Sequence, residues 1–273
     1  MRQNSFNTRL LALLAWFVAL CFAFPIIWMI VTAFKTERQA IAMPPLLVFH
    51  PVLSSFAAAL NGTGYVNFAL NSVIVSLGST LLAIVIAFPA AYALAFRPGK
   101  GTQGILVWML STKMLPPVGA LVPVYLIYRD VGLLDTRTGL IILNMLMNLP
   151  LVVWMLYSFF RDIPNAILEA AKVDGVSTRQ QMIHLLLPLA APGIASTALL
   201  CIIFAWNESF WAINLTAAHA GTLASFITRF SQPEGLFWAK LSAASVVTVA
   251  PVLIFGALTQ RHLVRGLTFG AVK

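Results

Sequence analysis

Few residues in this chain can do chemistry, and they fall into two sets. One is a polar and charged run, Ile163-Pro164-Asn165-Ala166-Ile167-Leu168-Glu169-Ala170-Ala171-Lys172-Val173-Asp174-Gly175 and onward to Leu187-Pro188, lying between two strongly apolar stretches. The other is a scatter of polar groups inside apolar stretches: Lys113, Asn144, Asn148, Asn207, Glu208 and Asn214, with Trp211 at helical spacing between the last two asparagines. An unpartnered amide or carboxylate in hydrocarbon costs several kcal/mol, so these groups face a protein interior or a water-filled path. A translocation path is the preferred account, and hydrogen bonding between helices is the other. Lys113 and Glu208 carry opposite charge and could pair. The residues that enzymes use are not clustered: His50, His184, His219 and His262 are scattered, and neither an H-E-x-x-H nor a G-x-S-x-G pattern occurs. Lys100 in Gly99-Lys100-Gly101 is followed by glycine, so it opens no phosphate-cradling G-x-x-x-x-G-K-[ST] loop. The chain is therefore not expected to be an enzyme or to bind a metal, a cofactor or ATP directly.

The elements that must position these groups are membrane helices. Hydrophobic residues make up 60% of the chain and charged residues 9%, with a mean hydropathy of +0.91, whereas soluble domains carry about 25% charged residues. A bilayer core needs roughly 20 consecutive apolar helical residues. Six stretches qualify: Leu10–Phe34, Leu70–Phe96, Ile105–Tyr128, Leu140–Phe160, Ile194–Leu215 and Leu241–Thr259. One multi-pass membrane domain spanning 1–273 is expected, because the loops are too short for a separate soluble domain. The net charge of +9 would suggest nucleic acid in a soluble protein; in a membrane protein the placement of the charge matters more, and no nucleic-acid partner is expected. With the N-terminus inside, Arg2, Arg9, Arg97, Lys100, Arg161, Lys172, Arg179, Arg261, Arg265 and Lys273 lie on the cytoplasmic side. Lys35, Arg38, Arg129, Arg137, Arg229 and Lys240 then lie outside, a bias that puts both termini and the charged run in the cytoplasm. A cleavable leader is the competing reading of the N-terminus, disfavoured by the length of the apolar run and the lack of a clear small-residue cleavage site. Cys21 and Cys201 sit mid-span and are expected to be buried small hydrophobes.

Along the second span, Ser72, Ser76, Ser79, Thr80, Ala83, Ala87 and Ala90 form one narrow face of small groups, which suits close helix packing. The third span holds Met114-Leu115-Pro116-Pro117 beside Lys113, where the prolines locally break the helix. External loops run from Lys35 to about Phe68 and from Thr216 to Lys240; the aromatics Phe226, Phe230, Phe237 and Trp238 of the second suit an interfacial position.

The charged run reads as two short helices around a glycine. Pro164 suits a first helical turn, and Ile167, Ala170, Ala171 and Asp174 share one face. Gly175 can take a positive φ and ends that helix. Ser177 with Gln180 forms a capping-box pattern for a second helix, Thr178 to about Leu186, which Pro188 stops. Small Ala170 and Ala171 leave room for another surface, and Glu169 and Lys172 put charge beside it. That is the composition of a docking helix. An amphipathic helix lying on the membrane is the other reading, weakened by alanines where deep insertion favours large apolar side chains.

Glu169-Ala170-Ala171, then Gly175, then Leu187-Pro188 at the required distance resemble the EAA motif of inner-membrane permease subunits of bacterial ABC importers. Leu185 stands where that family most often has isoleucine. Asp162-Ile163-Pro164, Trp206-Asn207-Glu208 and the tail from Leu263 to Lys273 resemble the sugar-permease branch that includes the maltose permease subunits. Within it, Trp206 to Trp211 and Pro233 to Lys240 look most like permeases for sugar alcohols such as mannitol and sorbitol. The resemblance implies an all-α type I ABC importer permease fold with six transmembrane helices and a cytoplasmic coupling helix, in the bacterial inner membrane. It also implies a second homologous permease subunit, a cytoplasmic ATPase dimer that uses the ATP, and a periplasmic solute-binding protein. By carry-over, Glu169, Ala170, Ala171 and Gly175 dock the ATPase, with Asp174 beside them and Leu187 and Pro188 closing the motif. Gly266 to Lys273 is a second contact. An ion-coupled secondary transporter or channel using Lys113 and Glu208 is the alternative; such carriers commonly show paired repeats, and none is visible.

Overall fold

The computed structural model describes residues 5–232 and 235–268. They are almost entirely helical, with one antiparallel pair of two-residue strands, Ser231–Gln232 and Gly235–Leu236. The described helices group into two compact units, one within residues 5–65 and 227–251 and the other within 66–226 and 252–268.

The first unit contains α1 (Ser5–Ala33), α2 (Glu37–Ala40), α3 (Ser54–Leu60) and the first half of the last helix, Trp238–Thr268. A capping box starts α2: the Thr36 N–H donates to Gln39 Oε1 at 3.0 Å and the Gln39 N–H donates to Thr36 Oγ1 at 3.3 Å. The Glu37 carboxylate accepts the N–H groups of Ala239 and Lys240 at 3.0 and 2.9 Å. An acidic group at the first turn of the last helix satisfies orphan donors and complements the helix dipole. The apolar body of α1 is bare within this chain, Cys21 included, which corrects the expectation that both cysteines are buried.

The second unit is built on α4 (Tyr65–Phe96), α5 (Thr102–Thr112), α6 (Pro117–Asp130), α7 (Arg137–Arg161), α8 (Asn165–Val173), α9 (Thr178–Gln180), α10 (Leu187–Leu189), α11 (Ala191–Asn207), α12 (Phe210–Leu215) and α13 (Leu223–Phe226); α14 is the helix Trp238–Thr268 named above. Ser72, Ser76, Ser79, Thr80, Ala83 and Ala87 of α4 are all buried, so the small-residue face does admit close neighbours; Ala90 is only half-buried. Ala83, Ala87, Tyr92, Val152, Val153, Leu156, Phe160, Leu186 and Cys201 share one core with Leu168 of α8. Phe226 is wholly buried with its ring 5.2 Å from that of Phe68, not at an interface as its loop position suggests.

Among the described residues, three helices are long and apolar enough to cross a membrane (within α1, α4 and α7), or five if each of two sharply bent pairs counts as one span. The first bend lies where the prolines are expected to break the third span, and the second lies two residues beyond the expected stop at Pro188. α5 and α6 meet at 86°, because Pro116 and Pro117 remove two backbone donors and hold the chain extended. The helix from Thr178 to Leu189 meets α11 at 78°, so the chain turns at Ala190 and not at Pro188. A π-helical turn over Gln181–Leu186 precedes Pro188; the extra residue relaxes the clash between a proline ring and the carbonyl four residues back. The last helix encompasses the sixth expected stretch, although its apolar described part, Trp238–Ile254, is short for a span.

Long-range hydrogen bonds stitch one end of the second unit. Arg137 Nε donates to Asn71 Oδ1 at 2.7 Å, and Asn71 Nδ2 donates to the carbonyls of His219 and Gly221, both at 2.8 Å. Asp135, in the left-handed region at φ 52°, donates its own N–H to Leu215 O at 2.8 Å. Its carboxylate accepts the N–H groups of Ala217, Ala218, His219 and Ala220 at 3.0 to 3.1 Å. Partial burial pushes the Asp135 carboxyl up, but those four backbone donors outweigh it and hold the group below its ordinary value.

Two outcomes follow from this packing. A Cβ on Gly193 would lie 2.5 Å from Phe159 Cγ, so Gly193→Val should destabilise the α7–α11 contact by about 1–3 kcal/mol, read as a lower melting temperature of the purified protein in detergent. A carboxyl held below its unfolded value near about pH 4 stabilises the fold above that pH, and the contribution is lost as pH falls through the lower folded value. Melting temperature followed from pH 6 to pH 3 should therefore fall less steeply in Asp135→Ala than in the parent, with Asp135→Ala already the less stable at neutral pH.

Candidate functional site

The charged run folds as two capped helices whose ends are set by local sequence. α8 closes with a Schellman pattern: the Val176 N–H donates to Ala171 O at 2.9 Å and the Gly175 N–H to Lys172 O at 3.1 Å. That pattern needs a left-handed residue after the helix, and Gly175 supplies it at φ 76°. The Ser177 N–H donates to Gln180 Oε1 at 3.0 Å and the Gln180 N–H to Ser177 Oγ at 3.4 Å, completing the capping box of the next helix. Buried Gln181 turns back to donate to Val176 O at 2.8 Å, which locks the linker between the two helices.

The two edges of α8 differ. Leu168 (3% exposed) and Ala171 (7%) point into the core of the second unit, while Glu169, Ala170, Asp174 and Gly175 are exposed, as are Leu187 and Pro188. Ala171 lies three residues after Leu168 and shares its inward edge. Of the face shared by Ile167, Ala170, Ala171 and Asp174, only Ala171 is buried, and the outward edge of the helix runs through Glu169, Ala170, Val173 and Asp174. A cleft of about 400 Å³ opens where α7 leads into α8, lined in part by Pro98, Tyr157, Arg161, Asp162 and Asn165. Arg97 donates to Thr178 Oγ1 at 3.0 Å, so the C-terminal ends of α4 and α7 lie at the same end of this unit as the charged run. The stitched end around Asn71 and Arg137 is the opposite one. Gly266 lies in the last turn of α14, and Lys273 lies outside the described residues.

The polar groups of the apolar stretches separate into two arrangements. Lys113 Nζ donates to buried Asn148 Oδ1 at 3.3 Å and sits 5.4 Å over the ring of Phe204. Asn144, one turn before Asn148, is buried and donates to Leu140 O at 3.0 Å. Glu208 does not pair with Lys113. Its carboxylate accepts the N–H groups of Trp211 and Ala212 at 2.9 and 3.2 Å, capping α12 where α11 has just ended. The break dissolves the expected stripe of Asn207, Trp211 and Asn214, which do not share one continuous helix. Asn207 and Asn214 are exposed, donating to Ile203 O and Phe210 O. Trp211 is buried in a cluster with Tyr128, Leu143 and Leu215 and so packs the bundle. The tie between Asn71 and Arg137 and the loop held by Asp135 carried no local signal; the partners are 66 or more residues apart in the chain.

Residues 83–269 match the model of a family described as binding-protein-dependent transport system inner membrane component. The chain is 36% identical to the probable ABC transporter permease protein y4oR of Sinorhizobium fredii, over 97% of this chain and 96% of that one. It is 32% identical to the trehalose transport system permease protein SugB of Mycobacterium tuberculosis, over 91% and 92%. Among solved structures, a chain of a bacterial ABC transporter involved in alginate import superposes with a TM-score of 0.77 at 23% identity, covering 96% of this chain and 98% of that chain, a likeness of fold. On this agreement over almost its whole length, the chain belongs to the family of inner-membrane components of binding-protein-dependent transport systems and is an ABC transporter permease.

Proposed function

We propose that this permease carries a carbohydrate inward through the bacterial inner membrane, using the work of a separate cytoplasmic ATPase dimer that grips the outward edge of α8. The observation that carries the reading is the division of that helix: an apolar edge seated in the bundle through Leu168 and Ala171, and a polar edge of Glu169, Ala170 and Asp174 left open beside the turn at Gly175. Burial of Leu168 contributes roughly 1.5–3 kcal/mol, enough to keep the helix seated while its other edge is handled. Leu187, Pro188, Gly266 and Lys273 complete the proposed contact. ATP is bound by the partner, and this chain holds no cofactor. A second, homologous permease and a periplasmic solute-binding protein complete the assembly, and the bias of basic residues supports both termini in the cytoplasm.

Kinship with a trehalose permease supports a sugar as cargo. The runs Trp206 to Trp211 and Pro233 to Lys240 narrow the proposal to a sugar alcohol. Lys113, Asn148, Asn144, Asn207, Glu208 and Asn214 are the proposed polar lining of the path, joined by Trp211 as a buried support. Ion-coupled transport is the weaker reading, since Lys113 bonds a neutral amide and Glu208 a helix end.

Gly175→Leu, strained at a positive φ, and Glu169→Lys, reversing the docking charge, should each lower uptake about tenfold or more, the equivalent of about 1.4 kcal/mol of lost docking free energy. Membrane insertion and folding should be retained; normal uptake together with normal co-purification of the ATPase would refute the docking role. Solute-stimulated ATPase activity of the reconstituted complex should be highest with polyols, and a preference for disaccharides would leave the importer standing but reject the sugar-alcohol assignment.

A further inference from the structure

Within the first unit, a cavity of about 580 Å³ lies between the end of α1, the segment after it and the start of α14. Lys35 lines it at 1% exposure, its ammonium 4.6 Å from the ring centroid of Trp28 and 5.1 Å from that of Phe49. Beside these ring faces, Nζ makes no hydrogen bond and no ion pair among the described residues. Glu37, two residues on, makes no ion pair with it among the described residues; its carboxylate oxygens accept the N–H groups of Ala239 and Lys240. The cavity also presents the hydroxyls of Ser242 and Ser245 and the amide nitrogen of Gln39, whose oxygen is used in the α2 cap. These three groups make no hydrogen bond among the described residues, and none is sealed from solvent, so each is open to a ligand in the cavity.

We propose that this cavity binds the phosphate of an anionic membrane phospholipid. A buried cation without a counter-ion is costly, and ring faces compensate it only in part. A phosphate diester supplies the missing charge and acceptors for every open donor at once. A neutral sugar would leave the ammonium uncompensated. The depth fits as well: Lys35 follows the apolar body of α1, and Trp28 and Trp238 flank the cavity as aromatic residues do at the level of headgroups. Pro25 and Met29, from the apolar body of α1, line the same cavity and offer contact to the glycerol and first acyl carbons. The inference requires only that α1 spans a bilayer, and it is independent of the solute and of the docking role of α8.

The test uses the intact importer purified in detergent, titrated with phosphatidylglycerol, phosphatidylcholine or inorganic phosphate, with bound lipid counted by native mass spectrometry. Phosphatidylglycerol should bind in preference to phosphatidylcholine, and Lys35→Gln should weaken it about fivefold or more, the equivalent of about 1 kcal/mol for one basic residue at a lipid surface. Lys35→Arg should keep most of the binding. Ser245→Phe, which retains the charge but fills the cavity, should lose it, so the proposal stays testable if Lys35→Gln fails to fold. Equal phosphatidylglycerol binding by the parent, Lys35→Gln and Ser245→Phe would overturn the site. Displacement of phosphatidylglycerol by millimolar inorganic phosphate would overturn the lipid as its occupant, as would an acidic side chain of another subunit found against Nζ in the assembled transporter.

Discussion

The structure depends on a small apolar contact, the seating of Leu168 in a core that also holds Leu156 and Phe160 of α7 and Ala83 and Ala87 of α4. Interiors packed to crystal density transmit displacement instead of absorbing it. A force on the outer edge of α8 is therefore delivered to the two long helices of that unit. Leu186 enters the same core from the second capped helix, so both arms of the charged run are fastened to one body. Gly175 lies between the fastened points and exposes a backbone turn that no other residue type adopts as easily.

A second constraint explains the broken helices. Backbone polar groups at membrane depth must be satisfied inside the protein, so a helix can break there only where side chains or neighbouring segments replace the lost bonds. The end of α11 meets that demand through Glu208, which spends its carboxylate on the first N–H groups of α12. The junction of α5 and α6 meets it with prolines, which have no donor to satisfy, beside Lys113 held by Asn148. Residues that look like a charge pair in the sequence thus serve two separate breaks.

Local features of the charged run are legible in the sequence, because caps and glycine turns are encoded within a few residues of where they act. Gly175 takes its positive φ, and Ser177 and Gln180 form their box, from spacing alone. The facing of α8 was not readable: nine residues make only two and a half turns, and whether Ala171 lies inward or outward depends on a core assembled from α4 and α7. The same holds for the stripe from Asn207 to Asn214, where periodicity presumes an unbroken helix, and for Asp135, whose partners lie 82 to 85 residues away. Residue types predicted that Lys113 and Asn148 must find partners, but only tertiary packing pairs them with each other.

The knot of hydrogen bonds around Asn71, Arg137 and Asp135 ties one extremity of the second unit, while α8 hangs from the other. A lever fixed at one extremity amplifies rotation into travel at the opposite tip. The 25 residues of α7 extend about 37 Å at 1.5 Å per residue, so rocking about the tied extremity by about 5° carries the far tip through about 3 Å. That stroke is more than half the pitch of a helix.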